Sequence, residues 1–580
     1  MKPTPRCTLR RVAQLVPLAL VVAACGGEAA NDGEGRGTVI VAVAADADFL
    51  LPPLVRQLVG KQVFDQIYDP LAMLPASMVT LGDAGFEPRL AASWTWSPDS
   101  LSITFTLDGR ARFHDGHPVR ASDVRFSAEL IKDPVVASGL AGGLANLDSI
   151  TTPDSLHVTA WFRRRTSEQF YMLVNHLPVM PEHLLKDIPR DKLRESDAAR
   201  NPVGSGRFRF RRWVPGSLIE LVADTANYRG RPAIDRLVWS VSPDPTSLWA
   251  RLVSEEADLV EVLRGEPLAR VAAAPTTRAV PYQSLDYAYV TFNTRVDRAS
   301  RTPHPIFGDP GVRRALAMGT DRVTVVRNAF DTLAHVARGP FVRAQWSADT
   351  TITQPVFDVA AARALLDSLG WRDSDGDGIR EKNGRPLAFS LAFPTSSTPR
   401  RQSAALLQAQ WKALGADVRL EDLENNTFGG RMLAGKFDAV MNGQHADASP
   451  ADLRQAFGSP EAPNSGSSNY GSYASAEVDA LVDSATTEFD TARARALYRR
   501  AYQRIVDDAA AIFLYEPKLV AGISRRIDTG PLRTDGWWIT VGDWKIDPAR
   551  RLARDRIPLG ALLGPGGDTA ASTPLKPGAR

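Results

Sequence analysis

Phe86 to Ile131 compresses a strand, two tight turns and a helix start into one stretch, and it constrains the backbone more than any other part of the chain. Ile103, Phe105 and Leu107 alternate with Thr104 and Thr106, the period of two that turns one face of a strand toward a core. Asp108-Gly109 and Asp115-Gly116, the second just ahead of Pro118, supply turns in which glycine takes up the positive φ. A helix is expected next, with Ser122 as its N-cap, Asp123 in the first turn near the positive end of the helix dipole, and Val124, Ser127, Leu130 and Ile131 at helical spacing.

With 580 residues, 44% of them hydrophobic and 23% charged, the chain is too long for one core and long enough for two or three domains. Its formal charge of +3 is set by the leader: residues 1–24 carry Lys2, Arg6, Arg10 and Arg11 and no acid, so their removal leaves a net −1 and no electrostatic case for a nucleic-acid partner. The basic start is followed by an apolar run from Val12 to Ala24, interrupted by Gln14 and Pro17. That run suits a signal peptide and falls short of the ~20 apolar residues of a membrane span. Val22-Ala23-Ala24-Cys25 matches a lipobox, which makes Cys25 the expected lipidation site; two or more acyl chains hold a protein on a membrane where one does so marginally. Cys7 leaves with the leader, so the mature chain keeps one cysteine and no intramolecular disulfide. Residues 25–37 read as a flexible tether, and residues 556–580, rich in Gly, Pro and Ala, as a disordered tail.

Four blocks follow in order. The first is Pro88-Leu90-Ala91, Trp94, the Ile103–Leu107 strand, Phe113-His114-Asp115-Gly116, Pro118 and Asp123-Val124. The second is Asn201-Pro202-Val203-Gly204-Ser205-Gly206 with Asn227-Tyr228-Arg229-Gly230. The third is Tyr287–Thr291 with Gly311-Val312-Arg313-Arg314 and Asp321-Arg322. The fourth runs from Gly370-Trp371 through Asp375-Gly376-Asp377-Gly378 to the amphipathic Gln402–Leu414. Single pieces of this kind occur everywhere; their order and spacing resemble the bacterial extracytoplasmic solute-binding proteins of family 5, from about Val39 to Ile546.

The resemblance implies an α/β, two-lobed periplasmic-binding-protein fold (type II, cluster C-like) with an extra domain inserted in the first lobe. The expected division is lobe I at 38–62, the insert at 63–199, lobe I again at 200–290, lobe II at 291–512, and a return to lobe I at 513–555, with crossings near Val290 and Phe513. It also implies a cleft that touches ligand at Ala45 and Asp46 after the first strand, and at Tyr282, Tyr289, Tyr470, Tyr473 and Tyr515. Taken singly each tyrosine also reads as core or surface; as a set they suit a binding wall, since a tyrosine packs its ring and keeps a hydroxyl to hydrogen-bond. Phe437–Asp447 resembles the cleft segment of oligopeptide binders, which brings in Asn442, Gly443, Gln444, His445 and Asp447. Asp447 matches the aspartate that holds a peptide's amino terminus there and is assigned that role, with the cap of a helix at Ser449–Phe457 as the alternative. Gln444 stands where those relatives carry tryptophan, and Met441 where an arginine meets a peptide carboxylate. His445 would add a donor that titrates near its usual pKa of ~6.5.

The implied role is a monomeric lipoprotein outside the cytoplasm that captures an extended solute, a peptide foremost, and delivers it to the permease of an ABC importer, with ATPase subunits engaged indirectly and no cofactor. Nickel chelate, haem, oligosaccharide and opine stay open as cargo. A surface peptidase or hydrolase stays open as the rival class, although H-E-x-x-H, G-x-S-x-G, S-x-x-K and the Walker A pattern do not occur. Gly204-Ser205-Gly206 lacks the leading glycine of a nucleophile elbow, because Val203 stands there, and reads as structural. Asp373, Asp375, Asp377 and Gly378 imitate half an EF-hand loop, but Gly384 occupies the twelfth place, so a turn is preferred to a calcium site. His114 and His117 flank a turn with no third ligand implied, and no metal is expected.

Overall fold

The structure, a computed structural model, describes residues 35–298, 300–461 and 468–563. The expected signal peptide, Cys25, the tether up to residue 34 and the tail from residue 564 lie outside the described residues. Residues 559–563, expected within the tail, form a short helix whose Leu562 is buried. Among the described residues no helix is long and apolar enough to cross a membrane.

The alternation at Ser102–Leu107 is a strand, with Ile103, Phe105 and Leu107 buried and the two threonines half-buried. It sits inside a four-stranded antiparallel sheet with Ala91–Trp96, His157–Phe162 and Leu147–Thr151. The helix after it covers Ala121–Lys132, so Arg120 and not Ser122 is its N-cap. The Asp123 carboxylate explains the shift: it accepts the Arg120 N–H at 2.8 Å and, through its other oxygen, the Glu182 N–H at 2.9 Å, serving two helix starts at once.

The rest of the chain builds a 12-stranded mixed sheet. One half is centred on Thr38–Val43, which pairs in parallel with Arg236–Val241 and Leu259–Val260. The other half is centred on Ala388–Pro394, parallel to Asp417–Leu423 and Ala439–His445 and closed by a core around the fully buried Trp411. These halves are the two lobes, and the strand Ala511–Ser524 belongs to both. Its first residues pair with Asp286–Phe292 and its last with Thr277–Gln283. The change of partner falls at Gln283–Asp286 and Glu516–Lys518, before the Val290 and after the Phe513 read from the sequence, because the two strands run on as one ribbon past those positions.

Beyond this strand, the buried Arg526 guanidinium donates to both Asp258 oxygens at 2.7 Å, to Asp555 Oδ2 at 2.6 Å and to the Thr38 carbonyl at 2.6 Å. Segments from both ends of the described chain are thereby tied to one cation. The chain re-enters the first lobe at Gly204-Ser205-Gly206. There Gly206 N–H donates to the Ile67 carbonyl at 2.7 Å and His114 N–H to the Gly204 carbonyl at 2.8 Å. A Cβ at Gly204 would overlap the Ile67 carbonyl oxygen, and one at Gly206 that of Gln66. The motif is structural, as read from the sequence, and what it serves is close backbone approach. Gly206→Ala is expected to lower unfolding free energy by about 1–3 kcal/mol, the range for overpacking against groups that cannot yield, measured by urea denaturation.

Candidate functional site

A cavity of about 460 Å³ opens between the lobes. Its floor is the end of the helix Leu58–Ile67 with the loop to Leu74, which Phe64 and Ile67 anchor in the core while Lys61 and Asp65 stay at the surface. One wall is the helix Gln169–His176, whose Phe170 packs against Phe86, Trp94, Trp96 and Phe105. That packing leaves Tyr171 and Asn175 on the cavity side. Arg533–Asp543 forms a second wall, and His445–Ala448, continuing the strand Ala439–His445, closes the cavity from the second lobe.

Charge in this cavity is almost wholly paired. Asp65 meets Lys61 at 2.9 Å, Asp69 meets Arg229 at 2.7 Å, Glu87 meets Arg89 at 3.0 Å, Asp535 meets Arg533 at 2.7 Å and Asp543 meets Arg207 at 2.6 Å. Among the described residues, the lining carboxylate without a lysine or arginine partner is Asp447. Its Oδ1 accepts the Tyr171 hydroxyl from the facing lobe and the Ser449 N–H at 3.0 Å; the helical turn Pro450–Asp452 is capped by the Ser449 hydroxyl and not by Asp447.

Behind Asp447 the lobes are joined by a buried polar chain. Trp346 Nε1 donates to Thr80 Oγ1 at 2.8 Å, and the hydroxyls of Thr80 and Ser449 donate to the two oxygens of Glu168. Burial, helped by the charge of Asp447, pushes Glu168 up to about 7 against the hydrogen bonds from Ser449 and Thr80, which pull it down. Burial and the charge of Asp447 likewise push Asp452 up to about 8. At neutral pH Asp452 is therefore mainly protonated and Glu168 about half so, which leaves Asp447 as the group on this wall with which a positively charged guest would pair.

Of the residues expected in the site, His445 and Asp447 line the cavity. Asn442, Gly443 and Gln444 lead up to it along the same strand, with Asn442 Nδ2 bonded to the Tyr289 hydroxyl at 3.1 Å. His445 sits 2.8 Å from Asp286, whose hydrogen bond raises it above the ordinary imidazole value instead of leaving it near 6.5. Asp46 is committed elsewhere: it accepts Trp213 Nε1 at 3.0 Å and the Gly216 N–H at 2.7 Å, fastening a hairpin turn beside the exposed Ala45.

None of the five tyrosines lines this cavity. Tyr289 stacks on Tyr287 at 5.4 Å, Tyr473 donates to Asp508 at 2.7 Å, Tyr515 packs on Phe330 at 4.5 Å and Tyr470 covers a small core with Phe428. Tyr282 is half-buried, and burial raises its hydroxyl far above the usual phenol value. Core packing claims these rings because each stands on a strand or loop whose inward face is already apolar. Met441 also points into the second lobe's core, so the exchange of an arginine for methionine there does not alter the cavity wall.

Sequence reasoning missed three groups: Tyr171, Glu168 and Arg400. Arg400 lies over Gly443, where a Cβ would displace its guanidinium, and its charge tells on the Tyr515 hydroxyl; it has no acidic partner among the described residues. The absence of a side chain at Gly443, four residues before Asp447, was the available signal for it.

Comparison with known proteins adds the following. The sequence model of the bacterial extracellular solute-binding proteins, family 5 Middle, matches residues 85–464. The oligopeptide-binding protein AppA of Bacillus subtilis is 26% identical over 533 residues, 88% of this chain and 94% of that protein. The structure of AppA with a nonapeptide superposes with a TM-score of 0.72 at 22% identity, covering 89% of this chain and 100% of the other. NikZ of Campylobacter jejuni in complex with Ni(L-His) gives a TM-score of 0.72 at 21% identity, covering 88% and 99%. At these identities the structures speak to the fold, which is the two-lobed α/β fold expected.

The raised Glu168 has a consequence for pH. A carboxyl at about 7 in the folded state against 4.5 in the open chain binds its proton more tightly when folded, so stability is gained as pH falls from about 7 toward 4.5 and lost as it rises. Glu168→Gln is expected to flatten the fall in stability between those pH values, read from thermal melts at a series of pH values.

Proposed function

Because the chain belongs to the bacterial extracellular solute-binding proteins of family 5, we propose that it captures an extended solute, a peptide, between its lobes and presents it to the permease of an ABC importer. The observation that carries this reading is Asp447. It is half-buried, lines the cleft, lacks a lysine or arginine partner, and has carboxyl groups behind it. An ammonium group arriving there meets a carboxylate already stripped of much of its water, where a charge-assisted hydrogen bond is strong. It would take the place of the Tyr171 hydroxyl. A cavity of about 460 Å³ falls within the ~300–1,000 Å³ common for small-ligand sites, enough for a short peptide or the leading part of a longer one.

Capture on this reading is mechanical and involves no bond making. The lobes are joined by two strands at Gln283–Asp286 and Glu516–Lys518, which allow rotation of one lobe over the other. On closure the Glu168, Thr80 and Ser449 hydroxyl chain forms across the gap. Cys25, acylated outside the cytoplasm, holds the protein on the membrane, where the transmembrane subunits receive the closed form and the ATPase subunits supply the energy. AppA, seen with a nonapeptide, supports a peptide as cargo.

Asp447→Ala is expected to weaken a free-amine peptide by about 2–5 kcal/mol, the scale for removing one partner of a buried charged pair, and to leave the same peptide with an acetylated amine almost unaffected. Titration calorimetry on both proteins with both peptides, chosen by mass spectrometry of co-purified ligand, decides it; equal affinity for the free-amine form would remove Asp447 from the site. Independently, Cys25→Ser is expected to move the protein from the membrane fraction to the soluble one when cells are broken.

A further inference from the structure

In the sequence His114 and His117 flank the Asp115-Gly116 turn with no third ligand implied. In the fold His114 turns away, its Nε2 2.9 Å from the Gly206 carbonyl, and His183 joins His117 and Asp115 instead. Gly116, at φ +91°, closes the turn with its N–H on the Phe113 carbonyl at 2.8 Å, which sets Asp115 and His117 on one side of it. His183, 68 residues beyond Asp115, comes from the helix Glu182–Leu185 and places Nε2 2.7 Å from Asp115 Oδ2. His117 Nδ1 lies 3.3 Å from Asp115 Oδ1, and the two imidazole rings stand 4.1 Å apart at 31°.

One ligand atom from each of Asp115, His117 and His183 lies within 4.8 Å of the others. The His117 side chain is 61% exposed and those of His183 and Asp115 28% and 19%, so the open side of the cluster faces solvent. None of the three lines the cleft cavity.

The geometry points to a surface site for one borderline divalent ion, Zn²⁺ or a neighbouring transition metal, held by His117, His183 and Asp115 with solvent completing its coordination. Imidazole nitrogens select such ions over Mg²⁺ and Ca²⁺, and three protein ligands with an open place are a recurrent zinc arrangement at bond lengths of about 2.0–2.2 Å. The separations here are already close to those of ligands sharing one ion, so binding needs small side-chain rotations and displacement of the protons between the groups. The ion would clasp the Phe113–Gly116 turn to the segment Pro178–Leu185, whose Pro178 borders the cleft. The site is separate from the cargo cleft and does not rest on peptide binding.

The test uses the full mature chain stripped with a chelator, then titrated with ZnCl₂ in a calorimeter and melted with and without the ion. One ion per chain and a zinc-dependent rise in Tm are expected. His117→Ala, a change at an exposed side chain, is expected to keep the chelator-treated Tm of the parent while weakening zinc by more than the about 10–100-fold that losing an outer-shell partner costs. Asp375→Asn with Asp377→Asn, in the exposed acidic loop Asp373–Gly378, is expected to leave zinc binding unchanged. No uptake by the parent chain, equal affinity in His117→Ala, or loss of the ion in the acidic-loop variant each overturns the proposal.

Discussion

One strand shared by two lobes sets the terms for everything else in this molecule. Ala511–Ser524 is hydrogen-bonded along its first third to Ala288–Thr291 and along its second half to Thr277–Gln283. It is the strand through which the sheet of one lobe continues into that of the other, lying between Asp286–Phe292 and Leu259–Val260. What remains free is rotation at the change of partner. Pro517, which has no N–H to give, lies at that change, where Ser284 Oγ reaches its carbonyl at 2.8 Å. The Arg526 network just beyond secures the strand's far end to Thr38, Asp258 and Asp555, so the first lobe can act as a fixed platform. Its two carboxylates, paired with Arg526, with Arg554 at Asp258 and with backbone N–H groups of Thr38, Ile40 and Leu552, meet the condition under which a buried ion pair is tolerable.

The cleft repeats the same economy of unpaired groups. Five cations and five carboxylates neutralise one another along its walls, and in this setting a single carboxylate held by a phenol stands out. Burial holds the acidic residues behind it, Glu168 in part and Asp452 mainly, in their protonated forms at neutral pH.

Local pattern made much of the fold legible. The Ser102–Leu107 alternation, the helix after it and the structural character of Gly204-Ser205-Gly206 follow from rules that act over a few residues. The family likeness added order where local rules stop, and with it the position of Asp447. What stayed hidden is what depends on distant residues meeting. Tyr171 and Asp447 are 276 residues apart, Glu168 and Ser449 are 281 apart, and no local signal joins them. The tyrosines mark the converse limit. An aromatic residue on a strand has the same signature in a core as on a binding wall, and Tyr473 and Tyr515 went to the core. Ser122 lost its capping place because Asp123 could serve Glu182 as well, a gain no single-helix rule counts.

The hydroxyl of Tyr171 on Asp447 also acts as a resident competitor. Any guest that would use this carboxylate must first outbid a neutral donor that is tethered in place and therefore present at high effective concentration. A cationic amine can do so, since its charge strengthens the bond it forms; an alcohol or amide offers only an exchange of like for like. If Asp447 holds the guest as proposed, the tyrosine would set a threshold for entry, and selectivity at this end of the cleft would come as much from what is already bound to the aspartate as from the aspartate itself.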